Sequence, residues 1–275
     1  MEYHAVAGAL PASMCPPGTD RAAHRPCEDG AMCYGDDARP PAPPVTGPVG
    51  EHGEVVLTSA DGTRFGAYHA DPQVASTRGM VILPDVRGLH RFYRDLALRW
   101  AEAGLHAVAI DYFARTAGIG PREEDFPFRD HMAKLDFATV AQDASAAVAW
   151  LRERTGAAAV FTVGFCFGGA MSWRQAAAGD QIAGAIGFYG IPSRVADVVD
   201  RIAAPLLILA AGQDFTPVAE VEAFADRVRQ RGVEADMWVY PDAPHSFFDR
   251  AFAEHREACA DAWQHMLAFV DRHGS

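Results

Sequence analysis

The 275-residue sequence lacks an apolar run long enough to cross a membrane, since none reaches the roughly 18 residues that a spanning helix needs. It also lacks an excess of positive charge, because 24 basic and 36 acidic residues give a net charge of −12. Such an acidic chain is poorly suited to binding nucleic acid or an anionic lipid surface. We therefore expect neither nucleic acid nor a membrane among its partners.

Cysteine is also scarce, and its five positions are widely spaced: Cys15, Cys27, Cys33, Cys166 and Cys259. An odd, sparse set of thiols is not the framework of a disulfide-stapled domain. At least one thiol must be free or must pair with another molecule.

Hydrophobic periodicity is absent from the first fifty residues. This region holds nine of the 18 prolines, which are Pro11, Pro16, Pro17, Pro26, Pro40, Pro41, Pro43, Pro44 and Pro48. The stretch 38–44 should be extended or polyproline-like. No basic region precedes the short apolar run 5–10, so we expect no signal peptide. We predict that residues 1–50 form a proline-rich extension, packed loosely or not at all on a domain that spans 51–275.

Two thiols and one histidine of this extension, Cys27, Cys33 and His24, raise the question of a metal site. No second Cys/His pair follows at zinc-finger spacing. Incidental thiols on a surface tail are the simpler explanation. We expect no metal and no cofactor.

From about residue 54 onward, short β-rich runs alternate with longer amphipathic stretches. The predicted strands are 54–58, 63–69, 80–84, 106–111, 158–164, 184–189, 206–210 and 236–240. The predicted helices are 92–103, 137–154, 168–178, 219–231 and roughly 251–272, and the first four each end at or near a glycine. The middle strands are apolar throughout, as parallel strands buried on both faces must be. This pattern predicts an α/β fold with a doubly wound, mostly parallel sheet flanked by helices.

The segment 163–169, Val-Gly-Phe-Cys-Phe-Gly-Gly, lies where a predicted strand ends and a helix begins. It has the glycine-x-nucleophile-x-glycine form of a nucleophile elbow, with Cys166 in the usual serine position. Because the nucleophile of such an elbow occupies a strained turn, small residues are needed two positions before and after it. The alternative is a buried structural cysteine beside glycines used for packing. By contrast, Cys259 shares a helical face with Trp263 and Met266 and is expected in the core.

A histidine and an acid follow the elbow in the chain order of a hydrolase triad. Asp214 comes just after the buried strand 205–210, and His245 comes after the next strand, ahead of the final helix. Asp242 is the rival acid, but it lies only three residues from His245, so the loop would have to fold back on itself.

These segments together resemble the dienelactone hydrolase family over about residues 54–272. The specific matches are Gly-Phe-Cys-Phe-Gly-Gly, Gly-Gln-Asp-Phe-Thr-Pro and Pro-His-Ser-Phe, in order and at fitting spacing. The resemblance implies an α/β-hydrolase fold with a cysteine nucleophile. It makes Cys166 the nucleophile, His245 the general base and acid, and Asp214 the residue that orients His245.

The resemblance also implies a carboxylate that activates the thiol. The family usually has a glutamate after its first long central strand, and this chain has the shorter Asp85. Alternatively, Asp85 pairs with Arg87 or caps the next helix.

The family binds a substrate carboxylate with two arginines. Arg115 matches the first, although a structural salt bridge is its alternative role. The second, four residues after the histidine, is replaced here by Asp249, next to Arg250. Arg87 could supply the missing charge. The substrate expected from the resemblance is therefore a small ester or lactone, and these arginines leave room for an anionic one.

The implied reaction is hydrolysis through a thioester on Cys166, with the backbone N–H groups of Phe167 and Val86 facing the oxyanion. A general carboxylesterase or thioesterase of the same fold is the nearest alternative. A non-catalytic binding module and a redox-sensing thiol are more distant ones. Since the thiol of Cys166 must stay reduced, we expect a cytoplasmic protein.

Overall fold

The computed structural model describes residues 38–123, 125–179, 181–249 and 252–274. Within these ranges the strands are β1 (Val49–Thr58), β2 (Arg64–Pro72), β3 (Arg78–Leu83), β4 (His106–Ile110), β5 (Ala159–Phe165), β6 (Gly184–Phe188), β7 (Leu206–Gln213) and β8 (Ala235–Pro244). The helices are α1 (Arg91–Glu102), α2 (Ala114–Ala117), α3 (Phe128–Met132), α4 (Phe137–Thr155), α5 (Phe167–Gln175), α6 (Val218–Gln230) and α7 (Arg256–His273). The short helices α2 and α3 were not expected, and α7 begins later than predicted.

The described strands form one sheet in the order β1-β2-β4-β3-β5-β6-β7-β8. β1 and β2 are antiparallel to their neighbours, and all pairs from β4 onward are parallel. Every residue of β6 is buried, as expected for a strand covered by helices on both faces. The prediction of a doubly wound, mostly parallel sheet is therefore confirmed.

The helix ends follow the expected capping chemistry. The Asp136 side chain accepts a hydrogen bond from the Ala138 N–H at 2.9 Å at the start of α4. Gly156, with φ +72°, ends α4 in the left-handed region. Among the described residues, no helix has the length and apolarity needed to cross a bilayer.

The chain just before β1 packs against two helices. Pro40, Pro41 and Pro43 are buried, and the indole N–H of Trp263 donates to the Pro41 carbonyl at 3.1 Å. The Gly47 N–H donates to the carbonyl of Glu102, the last residue of α1. These contacts attach residues 40–47 to the domain, whereas loose packing was expected up to residue 50. Residues 1–37 of the expected extension, with its candidate metal residues and three cysteines, lie outside the described residues.

Candidate active site

Cys166 lies in a strained turn between β5 and α5. Its φ of +54° and ψ of −113° are sparsely populated by residues other than glycine. A Cβ atom on Gly164 would overlap the Gly168 carbonyl, and one on Gly168 would overlap the Leu83 carbonyl. Close packing of the backbone thus requires both glycines of the motif. The Cys166 side chain is held at the carboxyl edge of the sheet and is 8% exposed.

His245 and Asp214 meet from two different loops at the same edge. Asp214 follows β7 directly, and His245 follows β8. The imidazole Nδ1 lies 3.0 and 2.9 Å from the two carboxylate oxygens of Asp214. The rival acid, Asp242, is exposed on β8. Because Nδ1 is engaged by Asp214, Nε2 is left for the hydrogen bond between His245 and the Cys166 side chain.

This environment shifts the pKa of His245. Burial by itself lowers the pKa, but the charge of Cys166 and the hydrogen bonds to Asp214 and Cys166 outweigh burial. The pKa therefore lies well above its ordinary 6.5. The shift favours a protonated imidazole, which is the state that stabilises a neighbouring thiolate.

Asp85 is completely buried in the loop after β3. Its Oδ1 accepts the Arg87 N–H at 2.9 Å, and its backbone N–H donates to the Tyr93 hydroxyl at 3.0 Å. Burial raises the pKa of Asp85 to about 6, although the Arg87 N–H and the charges of Arg87 and His245 oppose that rise. Oδ2 is buried without a hydrogen-bond partner in the part of the chain that the structure describes. A hydrogen bond between Oδ2 and the thiol is therefore absent among the described residues, and His90, rather than Asp85, caps α1.

Two aromatic side chains flank His245. The Tyr189 ring lies 4.9 Å from the imidazole, and its hydroxyl donates to Asp249 Oδ2 at 3.2 Å. The Phe215 ring lies 4.6 Å from the imidazole and is 63% exposed. Both residues follow a strand at the carboxyl edge of the sheet, a position that could have flagged them in the sequence. Asp249 is buried and bonded to Tyr189 where the family has its second arginine.

The expected contact between Arg115 and a substrate carboxylate does not fit the structure. The guanidinium donates from Nε and Nη2 to Asp143 at 3.0 and 2.7 Å, and from Nη1 to Asp61 at 2.6 Å. The remaining two N–H donors reach Thr63 and Ser59. All five donors of the arginine are thus used by protein groups, which is the structural alternative.

Arg87 is only 1% exposed, and its charge counteracts the raised pKa of Asp85. The backbone N–H of Arg87 bonds Asp85 Oδ1, and the guanidinium acts on that carboxylate through its charge. The substrate-binding role of Arg87 stays a prediction.

The two expected oxyanion donors lie near the elbow. Phe167 is the first residue of α5, so its N–H has no acceptor within the helix. Val86 is half-buried in the loop after β3, the strand that pairs with β5 through Leu83 and Gly164. Both positions fit an oxyanion hole built from a helix N-terminus and a neighbouring loop.

A nucleophile elbow after a central parallel strand, followed in the chain by an acid and then a histidine, defines the α/β-hydrolase class. A Pyrococcus furiosus esterase shares this fold, with a TM-score of 0.64 at 17% identity over 82% of this chain and 94% of that one.

The sequence model of the dienelactone hydrolase family matches residues 65–274, and the chain belongs to this family. An Escherichia coli K12 protein provisionally named carboxymethylenebutenolidase is 28% identical over 78% of this chain and 85% of its own length. The crystal structure of a Klebsiella pneumoniae protein provisionally named dienelactone hydrolase gives a TM-score of 0.70 at 29% identity. It covers 82% of this chain and 99% of that one. The protein is therefore a carboxylic ester or lactone hydrolase acting on small molecules.

Proposed function

We propose that the protein hydrolyses an ester or lactone through a covalent thioester on Cys166, with His245 as general base and acid. Asp214 positions His245. The observation that carries this proposal is the double contact of Asp214 with Nδ1, which leaves Nε2 for the thiol at the strained elbow. The name of the E. coli relative, carboxymethylenebutenolidase, suggests a lactone as the substrate.

In the first step the Cys166 thiolate attacks the carbonyl carbon, and the carbonyl π electrons move to oxygen. The N–H groups of Phe167 and Val86 stabilise that oxyanion, and one such donor is typically worth about 3 kcal/mol of barrier. When the tetrahedral intermediate collapses, the C–O bond breaks and protonated His245 donates a proton to the leaving alkoxide. For a lactone, the alkoxide stays tethered to the acyl group.

In the second step His245, now neutral, takes a proton from water, and the hydroxide attacks the thioester carbon. Collapse releases the carboxylic acid and restores the thiolate beside a protonated imidazole. The hydrogen bond to Asp214 keeps Nδ1 protonated in both steps, so that Nε2 alone exchanges the proton.

Asp85 is proposed to act on this cycle through its charge rather than by contact with the thiol. The supporting observations are its complete burial, its Oδ2 without a partner among the described residues, and its electrostatic interaction with His245. An ionised Asp85 would favour the protonated imidazole, and a protonated one would not.

A general carboxylesterase is the second candidate function. It is favoured by Asp249 in place of the family's second arginine and by the full engagement of Arg115. The two candidates differ in whether the substrate carries a negative charge.

The test compares wild type with Cys166→Ala and, as a matched control, Cys259→Ala on a short 4-nitrophenyl ester and on a carboxylate-bearing lactone. We expect Cys166→Ala to lose at least about 1000-fold in kcat and Cys259→Ala to keep activity within about twofold. Mass spectrometry of a rapidly quenched reaction should find the acyl group on the peptide that contains Cys166. Undiminished turnover by Cys166→Ala would exclude the mechanism.

A further inference from the structure

Arg194 lies in the connection after β6, at the same edge of the sheet as Cys166. It belongs to a 3₁₀ turn, Pro192–Val195. β6 pairs with β5, and the Cys166 N–H donates to the Phe188 carbonyl at the end of β6 at 3.1 Å. The connection that carries Arg194 therefore starts beside the nucleophile, at the edge where ligands of doubly wound sheets bind.

The Arg194 guanidinium lies over the aromatic ring of Phe167, with 5.3 Å between Cζ and the ring centroid. Phe167 directly follows Cys166, and its ring contacts that of Tyr112 at 5.2 Å. The Tyr112 hydroxyl donates to the Pro84 carbonyl, in the loop that carries Asp85. The arginine is thus stacked on the buried ring of the residue that follows the nucleophile, next to the helix start that carries the proposed oxyanion donor.

Electrostatics indicate the same proximity. Burial, Asp85 and Cys166 raise the pKa of Tyr112 well above its ordinary value, and the positive charge of Arg194 opposes them. The charge of Arg194 therefore acts on the same buried hydroxyl as the charges of Cys166 and Asp85.

The donors of Arg194 set it apart from the neighbouring arginines. Its Nη1 is buried and has no hydrogen-bond partner among the described residues. Arg174 and Arg115, by comparison, are paired with carboxylates. Arg174 also donates to the Arg194 carbonyl at 2.8 Å and so holds the backbone of the turn in place. A half-buried guanidinium with no carboxylate partner among the described residues is suited to bind a carboxylate from a ligand.

We propose that Arg194 determines specificity by binding a free carboxylate of the ester or lactone substrate, taking the role that Arg115 and residue 249 do not fill. This inference rests on the proposed hydrolysis at Cys166. Arg194 would then be the residue of this chain that selects esters or lactones with a second, ionised carboxyl group. A guanidinium suits this contact because its planar N–H pairs match a carboxylate.

The experiment measures 4-nitrophenol release from mono-4-nitrophenyl adipate and from its methyl ester, which differ only in one negative charge. The variants are Arg194→Gln and Arg194→Lys. Arg201→Gln, at an exposed arginine in the same connection, is the matched control. For Arg194→Gln we expect kcat/KM on the anionic ester to fall about 10- to 100-fold, mainly through KM, and on the methyl ester by less than about twofold. Arg194→Lys should be intermediate, and Arg201→Gln should behave as wild type on both esters.

The outcomes separate this inference from the proposed function. One outcome is that Arg194→Gln leaves the ratio of kcat/KM for the two esters as in wild type, because kcat/KM falls equally on both esters or on neither. In that case Arg194 does not bind the carboxylate, although hydrolysis at Cys166 stands. If Cys166→Ala hydrolyses the methyl ester as fast as wild type, the proposed function fails and this inference fails with it. Arg194→Lys answers the same question should the Gln variant not fold.

Discussion

Cys166 and Cys259 are the two buried free cysteines of the described chain, and both contact the loop that follows β8. Cys166 is hydrogen-bonded to His245, and the Cys259 thiol donates to the Phe247 carbonyl at 3.5 Å. Their surroundings differ in every other respect. Cys166 lies in a strained turn at the sheet edge, whereas Cys259 lies within the regular helix α7 and is 1% exposed.

Burial without a cationic partner disfavours the thiolate form of a cysteine. Burial, together with the negative charge of Asp249, raises the pKa of Cys259 to about 12. Cys166 is almost as buried, but it faces an imidazole whose own pKa is raised and lies at the N-terminus of α5. A positively charged partner and free helix N–H groups, rather than exposure, distinguish the candidate nucleophile.

The sharpest test of this difference is alkylation of the folded protein by iodoacetamide. At about pH 7.5 the thiolate fraction of Cys259 should be more than 1000-fold below that of an ordinary cysteine of pKa about 8.5. We expect Cys166 to be modified at least about 1000-fold faster than Cys259, as followed by peptide mass mapping. In denaturant the two rates should converge. Similar rates in the folded protein would remove the proposed distinction.

The strained turn at Cys166 can be broken without touching the thiol. In Gly168→Ala the new Cβ would overlap the carbonyl oxygens of Leu83 and Pro84. We expect a loss of about 3 kcal/mol in the free energy of unfolding, together with loss of esterase activity. Gly104→Ala is the control, because Gly104 has a positive φ of +89° but open space around it, whereas Gly168 lies within helix α5 and has close backbone neighbours. Gly104→Ala should lower the free energy of unfolding by only about 1 kcal/mol, as measured by urea unfolding. Equal losses would mean that close packing against the Leu83 and Pro84 carbonyls does not require glycine at position 168.

Asp85 should make the region around Cys166 less stable as pH rises. Its pKa in the folded protein, about 6, lies above its ordinary 3.8, so the folded state holds the proton more tightly. Stability from this group is therefore complete below about pH 4 and is lost as pH rises through about 6. Asp85→Asn removes the charge and should be more stable than wild type by about 3 kcal/mol at about pH 7.5.

The advantage of Asp85→Asn should nearly disappear at about pH 4, where Asp85 itself is neutral. Urea unfolding at the two pH values measures both differences. An Asn variant that is less stable than wild type at the higher pH would contradict the burial argument, whatever its activity.

The smallest of the four effects concerns the stability cost of replacing each buried cysteine, Cys259 or Cys166, by alanine. Removing one buried sulfur from α7 leaves a small cavity and should cost about 1 kcal/mol in the free energy of unfolding. Cys166→Ala should cost less, because its side chain borders the site and its turn is strained. Thermal or urea unfolding of the two variants checks this order, and a reversed order would assign Cys166 to the core.

Much of the fold follows from local patterns. Parallel strands buried on both faces must be apolar throughout, so β5 to β7 are visible as short apolar runs, and α4 ends at Gly156. The short helices α2 and α3 were missed because a single turn carries too little periodicity to detect.

Parts of the candidate site were open to prediction for a similar reason. An elbow needs glycines at fixed offsets from its nucleophile, and loops that follow parallel strands meet at one edge of the sheet. The sequence therefore predicts that Cys166, Asp214 and His245 lie together at one edge of the sheet. It gave no signal that Arg194 would stack on Phe167, since the two are 27 positions apart along the chain and no motif links them.

The sequence by itself thus determined the strand–helix alternation, the order of the elbow, acid and histidine, and the core position of Cys259. Only the tertiary structure decided which charges are already paired. Arg115 is engaged by Asp61 and Asp143 from two other segments, Asp85 is buried with a raised pKa, and Arg194 keeps a buried nitrogen without a protein partner among the described residues. The physical reason is that periodicity and turn chemistry act between near neighbours in the chain. The pairing and desolvation of a charge depend instead on whatever the fold brings beside it.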